Sequence, residues 1–188
     1  MYFMRSISSS PKEIHQIFIS WSPLKQLLFG ALMASLAAIL QAAGGLLPGI
    51  GMFLSPFTTL PILLCTLVSI RTGILTYTVT IFLLLFMEPS ELFIFPFTTG
   101  LLGFGLGWTF QILYKRLDII LINGLCLFIG ICIPLYILDF PVFGPAVASS
   151  FDILILIIIF VFSLLYSWLW LELGSLFIRK ILIILKSG

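Results

Sequence analysis

Charge is what this chain has least of. Charged residues make up 9% of its 188 positions, whereas a soluble domain carries about a quarter. Hydrophobic residues make up 61%, so the chain cannot cover its surface with polar groups and needs lipid as its solvent. The composition therefore excludes an ordinary soluble domain and predicts an all-α integral membrane protein in contact with the lipid bilayer.

Groups that carry chemistry are equally scarce. His15 is the single histidine, the three cysteines lie inside apolar runs, and no nucleophile–base pair, metal-ligand spacing or nucleotide-binding motif occurs. We therefore expect a protein that is not an enzyme and has neither a metal nor a cofactor. The basic residues are spread over separate gaps rather than gathered in a patch, so we expect no nucleic-acid partner.

Basic residues are missing from every second gap between the apolar runs. All nine lie in the remaining gaps: Arg5, Lys12, Lys25, Arg71, Lys115, Arg116, Arg179, Lys180 and Lys186. The gaps without them contain acids or no charge at all, and the acids are Glu88, Glu91, Asp139 and Asp152. The positive-inside rule produces such an alternation. It predicts a bundle of six transmembrane helices with both termini cytoplasmic, in a bacterial cytoplasmic membrane.

Apolar runs and turn residues divide the chain into three parts. Residues 1–23 are predicted to be a segment at the cytoplasmic membrane surface that includes a short helix, and residues 24–173 are predicted to be the transmembrane domain. The six spans are expected at 24–43, 56–70, 74–87, 93–114, 119–138 and 152–171. A very tight turn is expected at Arg71, Thr72 and Gly73. The basic and apolar tail, 174–188, either extends the last span or bends along the surface.

Small residues recur every four positions in the first span, at Gly30, Ala34, Ala38 and Ala42. They share one face of a helix, and in lipid such a face lets another backbone approach closely. Two interpretations stay open. The row packs against another span of the same chain, or it is a docking face for a partner membrane protein.

One motif, Phe-x-x-Pro-Phe-Thr-Thr, begins at Phe53 and again at Phe93. Both copies are expected at the outer mouth, with proline in the first helical turn and threonine as a cap. Either the motif only starts and caps a helix at both positions, or it forms part of a polar substrate site. The predicted site residues are Gln41, Thr58, Thr59, Glu91, Thr98 and Thr99. Aromatic walls are expected from Phe53, Phe57, Phe93, Phe97 and Trp108. Since no basic residue lies on this side, we expect a planar or weakly polar ligand rather than a polyanion.

The chain resembles the substrate-binding S components of energy-coupling factor (ECF) vitamin transporters. The resemblance rests on six spans with both ends inside, the row Ala34-x-x-x-Ala38, the prolines Pro56 and Pro61 with the glycine turn after them, and the glycines between 100 and 107. It implies a vitamin-like small molecule bound at the outer mouth. It also implies that the first helix, through Gly30, Ala34 and Ala38, docks on a transmembrane coupling subunit driven by two cytoplasmic ATPases.

Two other classes of protein fit the same features. A multispan scaffold of cell-wall morphogenesis, MreD-like, would use its apolar faces for partners and bind no ligand. A small stand-alone transporter would move its substrate without a coupling module.

Overall fold

A computed structural model describes residues 10–47, 49–140 and 153–187. Within these ranges the chain is helical and contains no strand. Five segments are long and apolar enough to cross a membrane: Pro23–Leu46, Ile50–Val68, Ile70–Met87, Arg116–Ile137 and Ile153–Ile183. The prediction of an all-helical, multi-pass membrane protein is confirmed at this level.

The described residues form eight α-helices. In chain order these are α1 (Ser10–Ile19), α2 (Pro23–Leu46), α3 (Ile50–Leu54), α4 (Thr59–Val68), α5 (Ile70–Met87), α6 (Thr99–Ile112), α7 (Arg116–Cys132) and α8 (Ile153–Ser187). A 3₁₀ turn, Ser55–Thr58, joins α3 to α4, and a second, Pro89–Phe93, follows α5. A π-helical turn, Ile133–Ile137, continues α7.

Helices α2 and α5 run parallel and in contact. The hydroxyl of Thr76 reaches the Gly30 carbonyl and that of Thr80, one turn later, reaches the Ala34 carbonyl, each at 3.4 Å. Small residues on α2 make this approach possible, because a larger side chain would separate the two backbones. The row of small residues is therefore the surface on which α5 packs.

Helices α4 and α6 are parallel as well. A Cβ at Gly103 would lie 3.0 Å from the Ile62 Cβ, and one at Gly107 would lie 2.5 Å from the Thr66 Cβ. Successive contacts thus advance in the same direction along both helices. The glycines of α6 bring its backbone onto α4, as small residues do at helix contacts in membranes.

The remaining contacts show that α7 is antiparallel to both α6 and α8. The pairs that fix these directions are Gly105 with Asn123, Gly130 with Phe97, Arg116 with Glu172, and Gly124 with Leu164. Helix α4 is in turn antiparallel to α5, since Gly73 faces Thr66 across the junction between them. Helices α2, α5 and α7 therefore point one way, and α4, α6 and α8 point the other.

These directions give the bundle two ends of different charge. The end formed by the starts of α2, α5 and α7, which we call the basic end, contains Lys25, Arg71, Lys115, Arg116, Arg179 and Lys180. The opposite end, which we call the acidic end, contains Glu88, Glu91 and Asp139 and, among the described residues, no lysine or arginine. Arg5 and Asp152 lie outside the described residues.

The predicted turn at Arg71, Thr72 and Gly73 is wrong. A single extended residue, Ser69 (φ −162°, ψ 132°), separates α4 from α5, and all three residues belong to the first turns of α5. Gly73 is needed for packing, because a Cβ there would lie within 2.4 Å of the Thr66 Oγ1. A glycine that suggests a turn in the sequence instead permits two helices to touch.

The fourth predicted span begins later than expected. Residues 94–98 form turns after the second 3₁₀ turn, and α6 begins at Thr99 rather than at Phe93. The 14 residues of α6 rise about 21 Å at 1.5 Å per residue. This is less than the roughly 30 Å of a bilayer's hydrocarbon core, and α6 is not among the five long apolar segments.

The N-terminal helix and the tail pack together at the basic end. Ile14 and Phe18 of α1 are buried in the same apolar cluster as Ile178 and Leu182 of α8. Helix α8 continues without a break to Ser187, so the tail extends the last helix. The predicted start of the sixth span at Asp152 lies outside the described residues.

Candidate functional site

Three of the predicted site residues form one buried chain of hydrogen bonds at the acidic end. The Thr99 hydroxyl donates to the Gln41 side-chain oxygen at 2.7 Å, and the Gln41 amide donates to Glu91 Oε2 at 2.7 Å. Exposure is 0% for Gln41, 5% for Glu91 and 8% for Thr99. The chain joins α2, the second 3₁₀ turn and the first residue of α6, which are far apart in sequence.

Two glycines at the C-terminal end of α2 leave room for the second 3₁₀ turn and its acidic side chains. A Cβ at Gly44 would lie 2.8 Å from Glu91 Oε1, and a Cβ at Gly45 would lie 2.8 Å from the Glu88 side chain. Glycine at these two positions lets the carboxylates of the turn approach the α2 backbone. The first span was expected to end at residue 43, whereas α2 continues through both glycines to Leu46.

Glu91 is a buried acid whose hydrogen-bond partner is a neutral amide. Burial raises the pKa of the Glu91 carboxyl above its ordinary value, the hydrogen bond from Gln41 lowers this pKa, and the negative charge of Glu88 raises it further. The effect of burial is the largest. Since no lysine or arginine is described at this end, Glu91 is suited to hold a proton or to accept a hydrogen bond from a donor group of a ligand.

Thr58 and Thr59 lie deeper in the bundle and make no side-chain hydrogen bond to the chain of three. Both are fully buried, and the Thr58 hydroxyl is 3.4 Å from the Ala37 carbonyl, one turn before Gln41. The Thr59 hydroxyl lies beside the Tyr166 phenol of α8 without a hydrogen bond of acceptable geometry. Buried polar atoms are normally paired, so Thr59 has capacity for one more partner.

Two further polar atoms on α8 share this property. Ser167 Oγ and Trp170 Nε1 are buried and, within the described part of the chain, have no hydrogen-bond partner. The Trp170 ring packs edge-on against Phe57, with centroids 6.1 Å apart, and the same ring contacts Tyr166. Thr59, Tyr166 and Trp170 thus lie together near the start of α4, and the sequence carried no signal for the two residues on α8.

The threonines of the repeated motif do not cap helices as predicted. Neither Thr58 nor Thr98, which stand at the N-cap positions of α4 and α6, makes a side-chain capping hydrogen bond. Thr98 instead donates to the Ile94 carbonyl at 2.7 Å, inside its own turn. The two adjacent threonines of the motif therefore have different partners: Thr98 bonds within its own turn, whereas Thr99 bonds to Gln41.

Four of the five aromatic side chains expected as walls are exposed, and the fifth, Phe97, is half-buried. Phe53, Phe57, Phe93 and Trp108 are all exposed, with Phe53 at 78%. Phe95 is a buried ring at this end and packs on Tyr77 with centroids 5.4 Å apart. Tyr77 also donates from its hydroxyl to the Pro96 carbonyl at 2.7 Å. These two residues hold the turn in place, and the sequence reasoning missed both.

The residues proposed for partner docking lie inside the chain. Ala34 and Ala38 are 0% exposed, and a Cβ at Gly30 would meet the Thr72 methyl at 3.3 Å. The outward face of α2 consists of large side chains such as Leu28, Leu32 and Leu36. Of the two interpretations of the small-residue row, the structure favours packing within the chain.

No protein-family model, curated protein sequence or solved structure matches this chain. Among the described residues, no group of three or more histidine, cysteine or acidic side chains could hold a metal ion.

Proposed function

We propose that the chain crosses the bacterial cytoplasmic membrane six times, with both termini and the basic end in the cytoplasm. The alternating helix directions support an even number of crossings. The separation of charge supports the orientation, because lysine and arginine are retained on the cytoplasmic side. Helix α6 is short, and the turns at residues 94–98 supply the rest of its crossing, protected from lipid by the elements around them.

We propose further that the acidic end binds a small molecule. The single observation that carries this proposal is the buried chain Thr99–Gln41–Glu91, in which a carboxylate with a raised pKa accepts a hydrogen bond from a neutral amide. Polar and ionisable groups are costly in such surroundings, and in membrane proteins they mark ligand and ion sites. Thr58, Thr59 and Thr98 are proposed as the adjoining polar surface.

The ligand expected here is neutral or carries one positive charge. A carboxylate, an amide and hydroxyls accept hydrogen bonds from such a molecule. A ligand with two or more negative charges would meet Glu88 and Glu91 with no lysine or arginine described nearby to balance them. A vitamin-like compound with a donor-rich ring fits this requirement.

The proposed role is that of the substrate-binding component of an uptake system. The sequence has no nucleotide-binding motif, so the energy for uptake would come from a separate coupling subunit and its ATPases. Docking through Ala34 and Ala38 is not included, since both residues are fully buried within the chain. The resemblance to ECF S components supports this role, and the MreD-like scaffold and the stand-alone transporter are its competitors.

Heat stability of the purified protein tests the ligand proposal. Neutral and singly cationic vitamin-like compounds are expected to raise the unfolding temperature of the wild type, whereas dianionic analogues are not. Gln41→Leu should abolish the rise, while Gln111→Leu, a glutamine at the basic end that donates to the Thr66 carbonyl, should retain it. Stabilisation by polyanions, or an equal response from the two variants, would refute the proposed site.

A further inference from the structure

A groove runs between α2 and α5 at the basic end of the bundle. Its volume is about 610 Å³, and it lies on the outer, lipid-facing side of the two helices. Leu27, Leu75 and Val79 form its apolar walls, and Gly30 and Ala31 form its floor. The groove is far from the chain of Gln41, Glu91 and Thr99, which is at the other end of the same helices.

The sequence of α2 explains why the groove exists. From Ala34 to Ala42 the small-residue row is fully buried against the rest of the chain. Towards the basic end the same face continues with Gly30, which is half-buried, and Ala31, which is exposed. Ala31 has too little side chain to fill the space beside α5, so a trough remains next to the close approach of Gly30 to Thr72.

The mouth of the groove carries hydrogen-bond donors and a positive charge. Arg71 is exposed there and makes no hydrogen bond or ion pair within the described part of the chain. Ser69 and Thr72, which both carry a hydroxyl, also line the groove. Ser69 precedes α5 without a side-chain cap, so the first backbone N–H groups of this 18-residue helix add to the positive potential.

The length of the groove distinguishes between two possible occupants, a helix of a partner protein and a lipid chain. Val79 is eight positions after Arg71, which corresponds to about 12 Å along the helix and is close to one half of the roughly 30 Å hydrocarbon core. A crossing helix of a partner protein is 10–12 Å wide and needs contact over its length. A trough that ends within one leaflet suits a lipid chain better.

We propose that this groove binds an anionic phospholipid of the leaflet at the basic end. The phosphate lies at Arg71 with the Ser69 and Thr72 hydroxyls, and one acyl chain lies on Gly30 and Ala31 between Leu27 and Val79. Basic residues near a membrane surface attract anionic lipids in this way. The inference does not depend on the ligand proposed for the acidic end.

Native mass spectrometry of the full chain in neutral detergent tests the proposal, with phosphatidylglycerol and phosphatidylcholine as probes. The wild type is expected to bind phosphatidylglycerol about fivefold more tightly, the ratio typical of one basic residue at a membrane surface. Arg71→Gln should remove this preference, and Lys115→Gln, which replaces an exposed basic residue outside the groove, should keep it. An equal preference for phosphatidylglycerol in Arg71→Gln and Lys115→Gln would overturn the proposal.

A second pair of variants tests the acyl-chain part of the site. Ala31→Phe fills the trough and should weaken binding of both lipids, whereas Ser35→Phe, one turn further along α2 and also exposed, should not. Unchanged binding by Ala31→Phe would contradict the inference. Displacement of the lipid by glycerol phosphate at equal concentration would also contradict it, as would cross-linking of position 31 to a membrane protein instead of lipid in cells.

Discussion

The side-chain amide of Gln41 donates a 2.7 Å hydrogen bond to the Glu91 carboxylate, fifty positions later in the chain. This bond links the end of α2 to the turn after α5, at the end of the bundle that lacks described basic residues. Thr99 completes the link from the start of α6. Three segments thus depend on one glutamine, and this makes their arrangement sensitive to small changes.

Replacement of Glu91 by glutamine should change the pH dependence of stability. The raised pKa of Glu91 means that the folded chain favours the protonated carboxyl more than the unfolded chain does. This stabilisation is complete below the ordinary pKa of 4.5 and is lost as the pH rises through the folded-state pKa. Glu91→Gln should therefore match the wild type at low pH and exceed its stability at high pH, by about 1.4 kcal/mol for each unit of pKa elevation.

Unfolding temperatures of the wild type and Glu91→Gln between acidic and alkaline pH measure this effect. Glu88→Gln is the matched control, because it removes a neighbouring acid that contributes least to the raised pKa. In a Glu88→Gln background, the gain in stability that Glu91→Gln gives at high pH should be slightly smaller, with most of it retained. A constant offset between wild type and Glu91→Gln at every pH would show that Glu91 is not the titrating group.

Adjacent threonines should respond differently to loss of their hydroxyls. Thr99→Val leaves the buried Gln41 oxygen without its donor, which costs about 1–3 kcal/mol. Thr98→Val removes a bond to a carbonyl four residues earlier in the same turn and should cost no more than about 1 kcal/mol. Chemical denaturation of both variants checks the order, and the reverse order would show that the chain of three is not formed.

The small-residue row should tolerate no enlargement even when no partner protein is present. Ala34→Leu introduces three carbons where the alanine is 0% exposed, and overpacking of this kind costs about 1–3 kcal/mol. Ser35→Leu, on the exposed side of α2, should change stability by less than about 0.5 kcal/mol. Equal stability of the two purified variants would mean that α5 does not cover this row.

Single cysteines at the two ends test the six-span topology. In a chain with Cys65, Cys126 and Cys132 replaced by alanine, Ser90→Cys should react with a membrane-impermeant maleimide in intact cells. Lys115→Cys should react only after the membrane is opened. Both native side chains are exposed, so access depends on the side of the membrane. Labelling of both positions from the same side would contradict the alternating topology.

The sequence was most informative where charge or composition decides the structure. The scarcity of charge predicted the membrane class, and the gaps that contain Arg71 and Lys115 predicted which helix ends meet. Gln41, Glu91 and Thr99 could be singled out because polar groups near the ends of apolar runs are conspicuous. Their direct contact could not be predicted, since it depends on how closely Gly44 lets the turn approach α2.

Glycine and threonine were the misleading residues. Gly73 suggested a turn, but a backbone contact with Thr66 explains it as well, and the sequence alone does not distinguish the two. The repeated Pro-Phe-Thr-Thr motif suggested equivalent roles for both copies. In the structure Thr99 reaches Gln41 whereas Thr59 faces α8, because the two helices have different neighbours. Tertiary contacts, rather than local sequence, assign each threonine its partner.

Mass spectrometry of small molecules extracted from the purified protein is the most direct test of the proposed binding site. The proposed site predicts that a neutral or singly cationic compound is retained by the wild type and by Gln111→Leu, at the basic end, and is lost from Gln41→Leu and Thr99→Val when all four proteins are folded. A compound retained equally by all four, or a ligand with two or more negative charges, would contradict it. A wild type that retains cell-wall proteins and no small molecule would point to the scaffold instead.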